Sequence, residues 1–378
     1  MSGRRVAVVG AGIVGLGHAI EGVRRGYQVT VIEQAAGVCG ASVQNFGHAG
    51  VTAQAGPTLT LARTARERWL TLAREAGFWT RASGTHVVAR SKNELAVLTE
   101  FAQERGPEEV QLWDAAQTRD RVPIAADRVV GGAHLPLDLQ VDPREAAPAI
   151  ARWLATQGVK FLWRTAATAV APGRVQTTRG DVGCDIVVVA THHDLDRLLP
   201  QLAEDVGLVR CRLHMLRVRP CRPLGITAPL LTGWAMTRYA GLAAQPSAGR
   251  VAAELASTDP DGVEWDLNLM LAPQRDGTLL VGDTHQRGVD APPFLDETGF
   301  TVLLDRLSEL VGRDDLDVVE RWQGVYASAP GRELLLVETS PGVHVATLTT
   351  GIGMTTGLAV SVRTFDRIEG TEHDAERA

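Results

Sequence analysis

The sequence predicts an α/β fold. A parallel-sheet domain with helices on both faces is assembled from three separate stretches of chain and carries an inserted, mostly antiparallel domain. Three observations predict it. The chain opens on a strand, a glycine turn, a helix and a second strand, "RVAVVGAGIVGLGHAIEGVRRGYQVTVIE", from Arg5 to Glu33. Near the end, "GVHVATLTTGIGMTTGLAVSVRTF" reads as a strand, a Gly/Thr turn and a helix beginning near Met354. Between them, stretches such as "HMLRVRP" and "NLMLAPQRDGTLLVGDTH" alternate or turn as antiparallel strands do.

In the opening unit, "VAVVG" is apolar on both faces, as a buried parallel strand must be. The helix that follows stops at Gly26, and "QVTVIE" is the second strand. The turn carries G-x-G-x-x-G at Gly10, Gly12 and Gly15. Gly10 allows the tight turn, Gly12 lets the backbone approach a pyrophosphate, and Gly15 lets helix and strand pack closely. The helix N-terminus, with Ile13 and Val14, offers free N–H groups and partial positive charge to phosphates. Glu33 ends the second strand, where an acid accepts hydrogen bonds from a ribose diol and disfavours a 2′-phosphate. The unit is therefore Rossmann-type, and NAD or FAD is expected rather than NADP.

Composition sets outer limits. The chain has 378 residues, 45% hydrophobic and 22% charged, enough for one or two well-buried cores. A net charge of −6 points to no nucleic-acid partner and no anionic membrane surface. Basic residues are almost all Arg; the lysines are Lys92 and Lys160. Cys39, Cys184, Cys211 and Cys221 include no C-x-x-C pair, so neither a metal site nor a dithiol centre is expected. Scattered cysteines suit a reducing cytoplasm. No signal peptide is expected ahead of the first strand, and no apolar run approaches the roughly 18 residues of a membrane span.

The segment after Glu33 bears on the choice between NAD and FAD. "AAGVCGASVQNFGHAG" is small residues and glycines where a dehydrogenase would enter its next helix. Such a loop lets a long ligand run past. This segment resembles the FAD-dependent amine and amino-acid oxidase superfamily, which includes D-amino-acid oxidase, glycine oxidase and monomeric sarcosine oxidase. The terminal strand–turn–helix and "VGCDIVVVATHHDLDRLLP" resemble the same group. In the last, His192 stands where relatives carry Gly after Ala-Thr.

The resemblance implies non-covalent FAD. Covalent linkage in sarcosine oxidase relatives uses a cysteine beyond Cys221, where this chain has none. It implies cofactor contacts at Gly10, Gly12, Ile13, Val14, Gly15, Glu33 and Gln34 in the opening unit. Ala41 and Ser42 would lie near the pyrophosphate, and Asn45, Phe46 and Gly47 would reach the ring system. Ala166 and Ala167 would flank the adenine side, joined by Ala190 and Thr191. Gly351, Gly353, Met354 and Thr355 would place a helix N-terminus beside the flavin, where reduced flavin is anionic. Four stretches, "GASVQNFG", "LAREAGFWTRASGTHVVARSKNELAVLTEF", "VGDTHQRG" and "ERWQGVYA", resemble a bacterial subfamily linked to aminophosphonate metabolism.

The expected organisation is a discontinuous FAD-binding domain, 1–80, 140–205 and 325–378, and a substrate-binding domain, 81–139 and 206–324. The amphipathic helix of "DPREAAPAIARWLATQGVKFLWRT" runs into a strand. "FLDETGFTVLLDRLSELVG" reads as a helix with early acids and a terminal Gly. The polar tail "EGTEHDAERA" is expected to fray.

The chemistry implied is oxidation of a C–N bond by hydride transfer to flavin N5, giving an imine that water hydrolyses to an aldehyde. The protein must then orient an anionic, amine-bearing molecule. His48 follows the Asn-Phe-Gly expected near the ring and either faces the site or bonds to nearby backbone. Tyr326 stands where many relatives carry an Arg for the substrate carboxylate, which puts an ordinary amino acid in doubt. Arg238, His285 and Arg287, with Tyr239, are the group suited to an anion such as phosphonate; singly, each also fits a structural role. Sarcosine oxidase relatives use a lysine near the flavin to speed electron transfer to oxygen. Neither lysine here is well placed, so a protonated His48 would substitute for it, or else a dye or quinone accepts the electrons better than O2. The oxidase is the favoured reading. Three alternatives stand beside it: an oxidase or dehydrogenase of glycine, sarcosine or D-amino acids, an NAD-dependent dehydrogenase, and a flavin-binding redox protein without turnover. The sequence does not bear on oligomeric state.

Overall fold

The computed structural model describes residues 3–371; the rest of the polar tail, 372–378, lies outside the described residues. Six strands form the sheet that carries the opening unit. Their order is Leu334–Ser340, Val343–Leu348, Ile186–Val189, Arg5–Val9, Gln28–Ile32 and Lys160–Leu162. All neighbours are parallel except the first pair, which is a hairpin. Apart from Arg5 at the edge, the central strands Arg5–Val9 and Ile186–Val189 are apolar and buried on both faces: Ala7, Val8, Val187 and Val188 are 0% exposed. That is the sequence signature of a strand covered by helices above and below.

Helix Ile13–Arg24 packs against the terminal helix Gly353–Glu369, and helix Gly56–Ala76 packs against the latter. Trp69 on helix Gly56–Ala76 is fully buried and donates its indole N–H to Met354 O at 2.8 Å. The start of the terminal helix is thereby tied to the core. His18 is buried between the first and last helices, its ring nitrogens 2.7 Å from Val14 O and 2.8 Å from Thr364 Oγ1. Burial lowers its pKa to about 4.

The second large sheet has nine strands. Its path runs Gln286–Gly288, Val209–Pro220, Leu279–Gly282, Met270–Pro273, Leu230–Leu231, Thr85–Ala89, Gly131–Leu135 and Gln111–Asp114. Strand Leu316–Ser328 pairs with Val209–Pro220 along its whole length, from Ser328 opposite Val209 to Leu316 opposite Pro220. A domain division at residue 325 falls inside this strand. Every pairing in the sheet is antiparallel except that of Leu230–Leu231 with Thr85–Ala89.

Helix Glu297–Val311 covers one face of this sheet, burying Phe300, Leu303 and Leu307 with Leu216, Val218 and Val281. It starts at Asp296, which caps Thr298 N at 2.9 Å, and ends at left-handed Gly312. A three-stranded sheet of His48–Ala49, Leu139–Val141 and Thr80–Arg81 joins the opening segments to the middle of the chain. Among the described residues, no helix is long and apolar enough to cross a membrane, and no cluster of His, Cys, Asp and Glu is arranged to hold a metal ion.

Candidate active site

A cavity of about 480 Å³ is lined from both large sheets. One end lies over the opening turn. There Gly10 has φ +104°, and a Cβ on it would lie 2.6 Å from Ala190 O. A Cβ on Gly15 would lie 1.9 Å from Gly10 O, so strand and helix meet at a distance only glycine permits. Gly15 therefore shapes the turn without facing the cavity, whereas Gly10, Gly12, Ile13 and Val14 line it. Ser42 Oγ accepts the Ile13 amide at 2.8 Å, fixing the loop after the second strand onto the helix N-terminus. Glu33 Oε2 accepts the Ala11 amide and Oε1 the Ala35 amide, each at 2.8 Å.

The adjoining wall is Gln34, Ala41, Ser42, Asn45 and Phe46. Asn45 donates to Ala41 O at 2.7 Å and accepts the Gly47 amide at 2.7 Å, so its side chain folds the loop back on itself. Gly47 does not line the cavity. It has φ +70°, and a Cβ there would sit 1.8 Å from Val141 O. It is needed for close packing against the neighbouring strand. Ala167, Ala190 and Thr191 line the same end. Ala166 does not; its amide pairs with Thr178 Oγ1 at 3.2 Å, and Thr165 lines the cavity instead.

His192 lines the cavity with φ +56°, a left-handed conformation that favours glycine. Its ring offsets the strain: Nε2 accepts the Ala327 amide at 3.2 Å, tying the parallel sheet to strand Leu316–Ser328. Burial lowers its pKa to about 3, which keeps that nitrogen free to accept.

Gly351, Gly353 and Met354 bring the N-terminus of the terminal helix into the cavity. Thr355 is buried one position behind and does not line it. Tyr326 lies beside this turn, its ring 3.6 Å from a Cβ placed on Gly351.

The far end belongs to the antiparallel sheet. Arg238, Tyr239, His285, Arg287 and Tyr326 line it, with Asn268 and Asp283. Arg238 and Arg287 each donate to a different carboxylate oxygen of Asp266, Arg287 at 2.7 Å. His285 Nδ1 lies 2.8 Å from Asp266 O and its Nε2 3.7 Å from Asp283 Oδ2. Burial and the Arg238 guanidinium hold His285 well below its ordinary pKa, at about 3. Burial pushes the Asp283 carboxyl up to about 7, against the pull of Arg238 and the Asn268 amide. Burial and the Asp283 charge push Tyr239 up to about 12, and burial and the Cys211 thiol push Tyr326 well above the ordinary phenol range.

His48 is not at the cavity. Its side chain is 6% exposed, with Nε2 2.7 Å from Thr85 Oγ1 and 3.5 Å from Asp138 Oδ2. Asp138 in turn accepts the Val51 and Thr52 amides at 2.8 and 2.9 Å. The residue sits on the strand His48–Ala49, and pairing of that strand with Leu139–Val141 turns its ring into this buried polar cluster. Sequence reasoning passed over Asp283, Asn268, Thr347 and Thr350. Asp283 stands two residues before His285 in "VGDTHQRG", yet nothing local to the sequence marks an aspartate as buried.

Six buried polar atoms on the cavity wall have no hydrogen-bond partner among the described residues: Thr191 Oγ1, Arg238 Nε, Asn268 Oδ1, Asp283 Oδ1, Thr347 Oγ1 and Thr350 Oγ1. Buried polar groups are nearly always paired in folded proteins. Their concentration here fits a wall completed by a bound polar molecule. The glycine cradle, the two helix N-termini and Glu33 fit the pyrophosphate and ribose of a dinucleotide, and the unpaired threonine hydroxyls near Gly351 fit a polar ring system.

Fold and site together fit a dinucleotide-binding protein whose cavity runs from the glycine turn to a polar end on the antiparallel sheet. The chain belongs to the family described as FAD dependent oxidoreductase, whose model matches residues 5–367. Its cofactor is FAD. Among solved structures, glycine oxidase from Bacillus cereus ATCC 14579 superposes with a TM-score of 0.80 at 19% identity, over 98% of this chain and 96% of that one. L-proline dehydrogenase from P. horikoshii gives 0.80 at 18%, over 99% and 95%. Iminodiacetate oxidase from Chelativorans sp. BNC1 gives 0.75 at 17%, over 98% and 96%. At these identities the likeness is one of fold.

Proposed function

We propose that this FAD-dependent oxidoreductase oxidises the C–N bond of a small amine that also carries an anionic group. The specific substrate proposed is an aminophosphonate of the 2-aminoethylphosphonate type. One observation carries the reading. The buried Nε of Arg238 is unpaired at the cavity wall, which also holds the unpaired carboxylate oxygen of Asp283. Two arginines and two aspartates, Arg238, Arg287, Asp266 and Asp283, make this end nearly neutral overall but sharply divided in sign. Such a division suits a molecule bearing both charges better than a simple anion or a simple cation.

Bound FAD supplies the hydride acceptor. The chain's own residues position the substrate. Arg238 presents Nε to the anionic group while its other nitrogen is held by Asp266, which fixes the direction of the guanidinium. Leu213, Met215 and Phe46 supply apolar walls that exclude water from the reacting carbon. Tyr326, with no arginine in its place, leaves the Arg238 end as the cationic part of the chamber. Lys92 and Lys160 do not line the cavity, and neither does His48.

The two sheets correspond in this reading to the FAD-binding and substrate-binding domains. Non-covalent FAD is supported by the cysteines: Cys39 lies at the nucleotide end, Cys184 and Cys211 are buried off the cavity, and Cys221 is exposed.

Steady-state turnover with a panel of amines tests the proposal, with the carbonyl product trapped and peroxide measured. Aminophosphonates giving the highest kcat/KM, with an aldehyde and peroxide formed together, is the expected result. Preference for glycine or sarcosine would move the substrate to the amino acids. Turnover only with a quinone dye would make the enzyme a dehydrogenase.

A further inference from the structure

Asp283 is 6% exposed, lines the cavity, and has one carboxylate oxygen that accepts no hydrogen bond among the described residues. Its backbone is rigid: Asp283 N donates to Asn268 O at 2.8 Å and accepts in return through its carbonyl from Asn268 N at 2.7 Å. The Arg238 charge and the Asn268 amide act on the carboxyl, but no arginine or lysine is in direct ion-pair contact with it among the described residues. His285 Nδ1 faces the carbonyl of Asp266 at 2.8 Å, so it carries the ring proton. In the neutral ring Nε2 is then an acceptor and gives nothing to Asp283 Oδ2, 3.7 Å away. Arg238 and Arg287 make their ion pairs with Asp266, and the unpaired Nε of Arg238 makes no hydrogen bond to Asp283. Tyr239 directs its hydroxyl towards Met270 Sδ at 4.0 Å, and Tyr326 is paired with the Cys211 thiol. A carboxyl is thus held against the cavity with one oxygen that accepts no hydrogen bond and without a direct arginine or lysine ion pair among the described residues.

We infer that Asp283 receives the ammonium group of the substrate and accepts its proton. This rests on the reading of the site as one for an anion-bearing amine. In the step, one N–H bond breaks and one O–H bond forms on Asp283. The electron pair stays on nitrogen, and the carboxylate becomes a carboxylic acid. No oxidant is consumed. The neutral amine that results has the lone pair needed to drive hydride loss from the adjacent carbon. The proton transfer is nearly balanced. Burial raises the carboxyl to about 7, and the same dry surroundings lower the pKa of the incoming ammonium. Arg238, His285, Arg287, Tyr239 and Tyr326 on the cavity wall, with Asp266 and Cys211 behind them, are the other titratable groups near this point, and Asp283 is the acid among them that has an unpaired oxygen and takes a proton near neutrality.

The test uses FAD-loaded enzyme reduced by dithionite, which binds an amine without turning it over. Anaerobic calorimetry compares 2-aminoethylphosphonate with propylphosphonate, and glycine with acetate; the second of each pair lacks the nitrogen. Wild type is expected to favour the amine by about tenfold to a hundredfold, the scale of a charge-assisted hydrogen bond. In Asp283→Asn that preference falls to about twofold or less while propylphosphonate or acetate binds as before, and Asp283→Glu recovers part of it. The acidic limb of the kcat/KM profile, near pH 7 in wild type, is expected to vanish in the Asn variant and return in the Glu variant. An amine preference that survives in Asp283→Asn overturns the inference, as does a wild type that binds both members of a pair equally. Failure of wild type to bind any of the four compounds instead overturns the underlying reading of the site, and the inference with it.

Discussion

Glu33 Oε2 accepts the amide of Ala11 at 2.8 Å, so the acid that ends the second strand is bonded directly to the glycine turn that ends the first. Its other oxygen holds Ala35 at 2.8 Å. Glu33 therefore shapes both loops of the dinucleotide end while keeping lone pairs for a ribose. Glu33→Ala is expected to weaken FAD binding by about 1–3 kcal/mol, the range for losing a charged hydrogen-bond partner. Fluorescence titration of apoprotein with FAD measures it. An unchanged dissociation constant would mean that another group holds the ribose.

Asp283 links the site to folding stability. Its carboxyl titrates at about 7 in the folded protein and near its ordinary value of about 3.9 when unfolded. Between those values the folded state keeps a proton that the unfolded state has lost. Stability from this group therefore falls as pH rises through that window and is level above it. Asp283→Asn cannot ionise. Its stability relative to wild type is expected to improve from pH 5 to pH 8, by about 1–3 kcal/mol. Urea denaturation with FAD in fixed excess at the two pH values checks this. A difference that does not change with pH would place Asp283 in a solvated or fully paired setting.

His192 gains its hydrogen bond to Ala327 at the cost of a left-handed backbone. His192→Ala loses the bond and keeps the strain, and is expected to destabilise the protein by about 1–3 kcal/mol. His192→Gly relieves the strain and is expected to cost less than the Ala variant. Thermal or urea unfolding of the pair decides it; equal losses would show that the backbone conformation carries no cost.

His48 is buried against Thr85 and Asp138 and has no access to the cavity. His48→Asn is expected to lower stability by about 1–2 kcal/mol through the lost side-chain bond. Reoxidation of the reduced flavin by oxygen is expected to stay within about twofold of wild type. Stopped-flow reoxidation measures this, and a large fall with the fold intact would restore His48 to the oxygen chemistry.

The nucleotide end of the site was legible because its requirements are local. Gly10, Gly12, Gly15 and Glu33 are set by one strand–turn–helix–strand unit, and glycine is the only residue that fits the Gly10–Gly15 approach. The return of the terminal helix was legible for a similar reason, since a strand, a Gly/Thr turn and a long helix lie in one continuous run. His48 stays open in the sequence because one residue along a strand reverses the side chain's direction. Only the pairing of His48 with Gln140 fixes which side it faces. Asp283 was passed over because its burial depends on four separate strands and loops converging from residues 213 to 326. Arg238, His285 and Arg287 were gathered by charge alone. The Asp266 that organises all three has no distinguishing mark in the sequence.

In the proposed function this chain passes electrons from a small anion-bearing amine to its FAD. Anaerobic titration of the FAD-loaded protein with 2-aminoethylphosphonate, N-methylated derivatives, glycine and sarcosine, followed by the visible flavin absorbance, tests it most directly. Full bleaching of the flavin band by at least one of these amines is expected, with one equivalent of aldehyde or 2-oxo acid per flavin reduced. A flavin that dithionite bleaches but none of the amines does would contradict it.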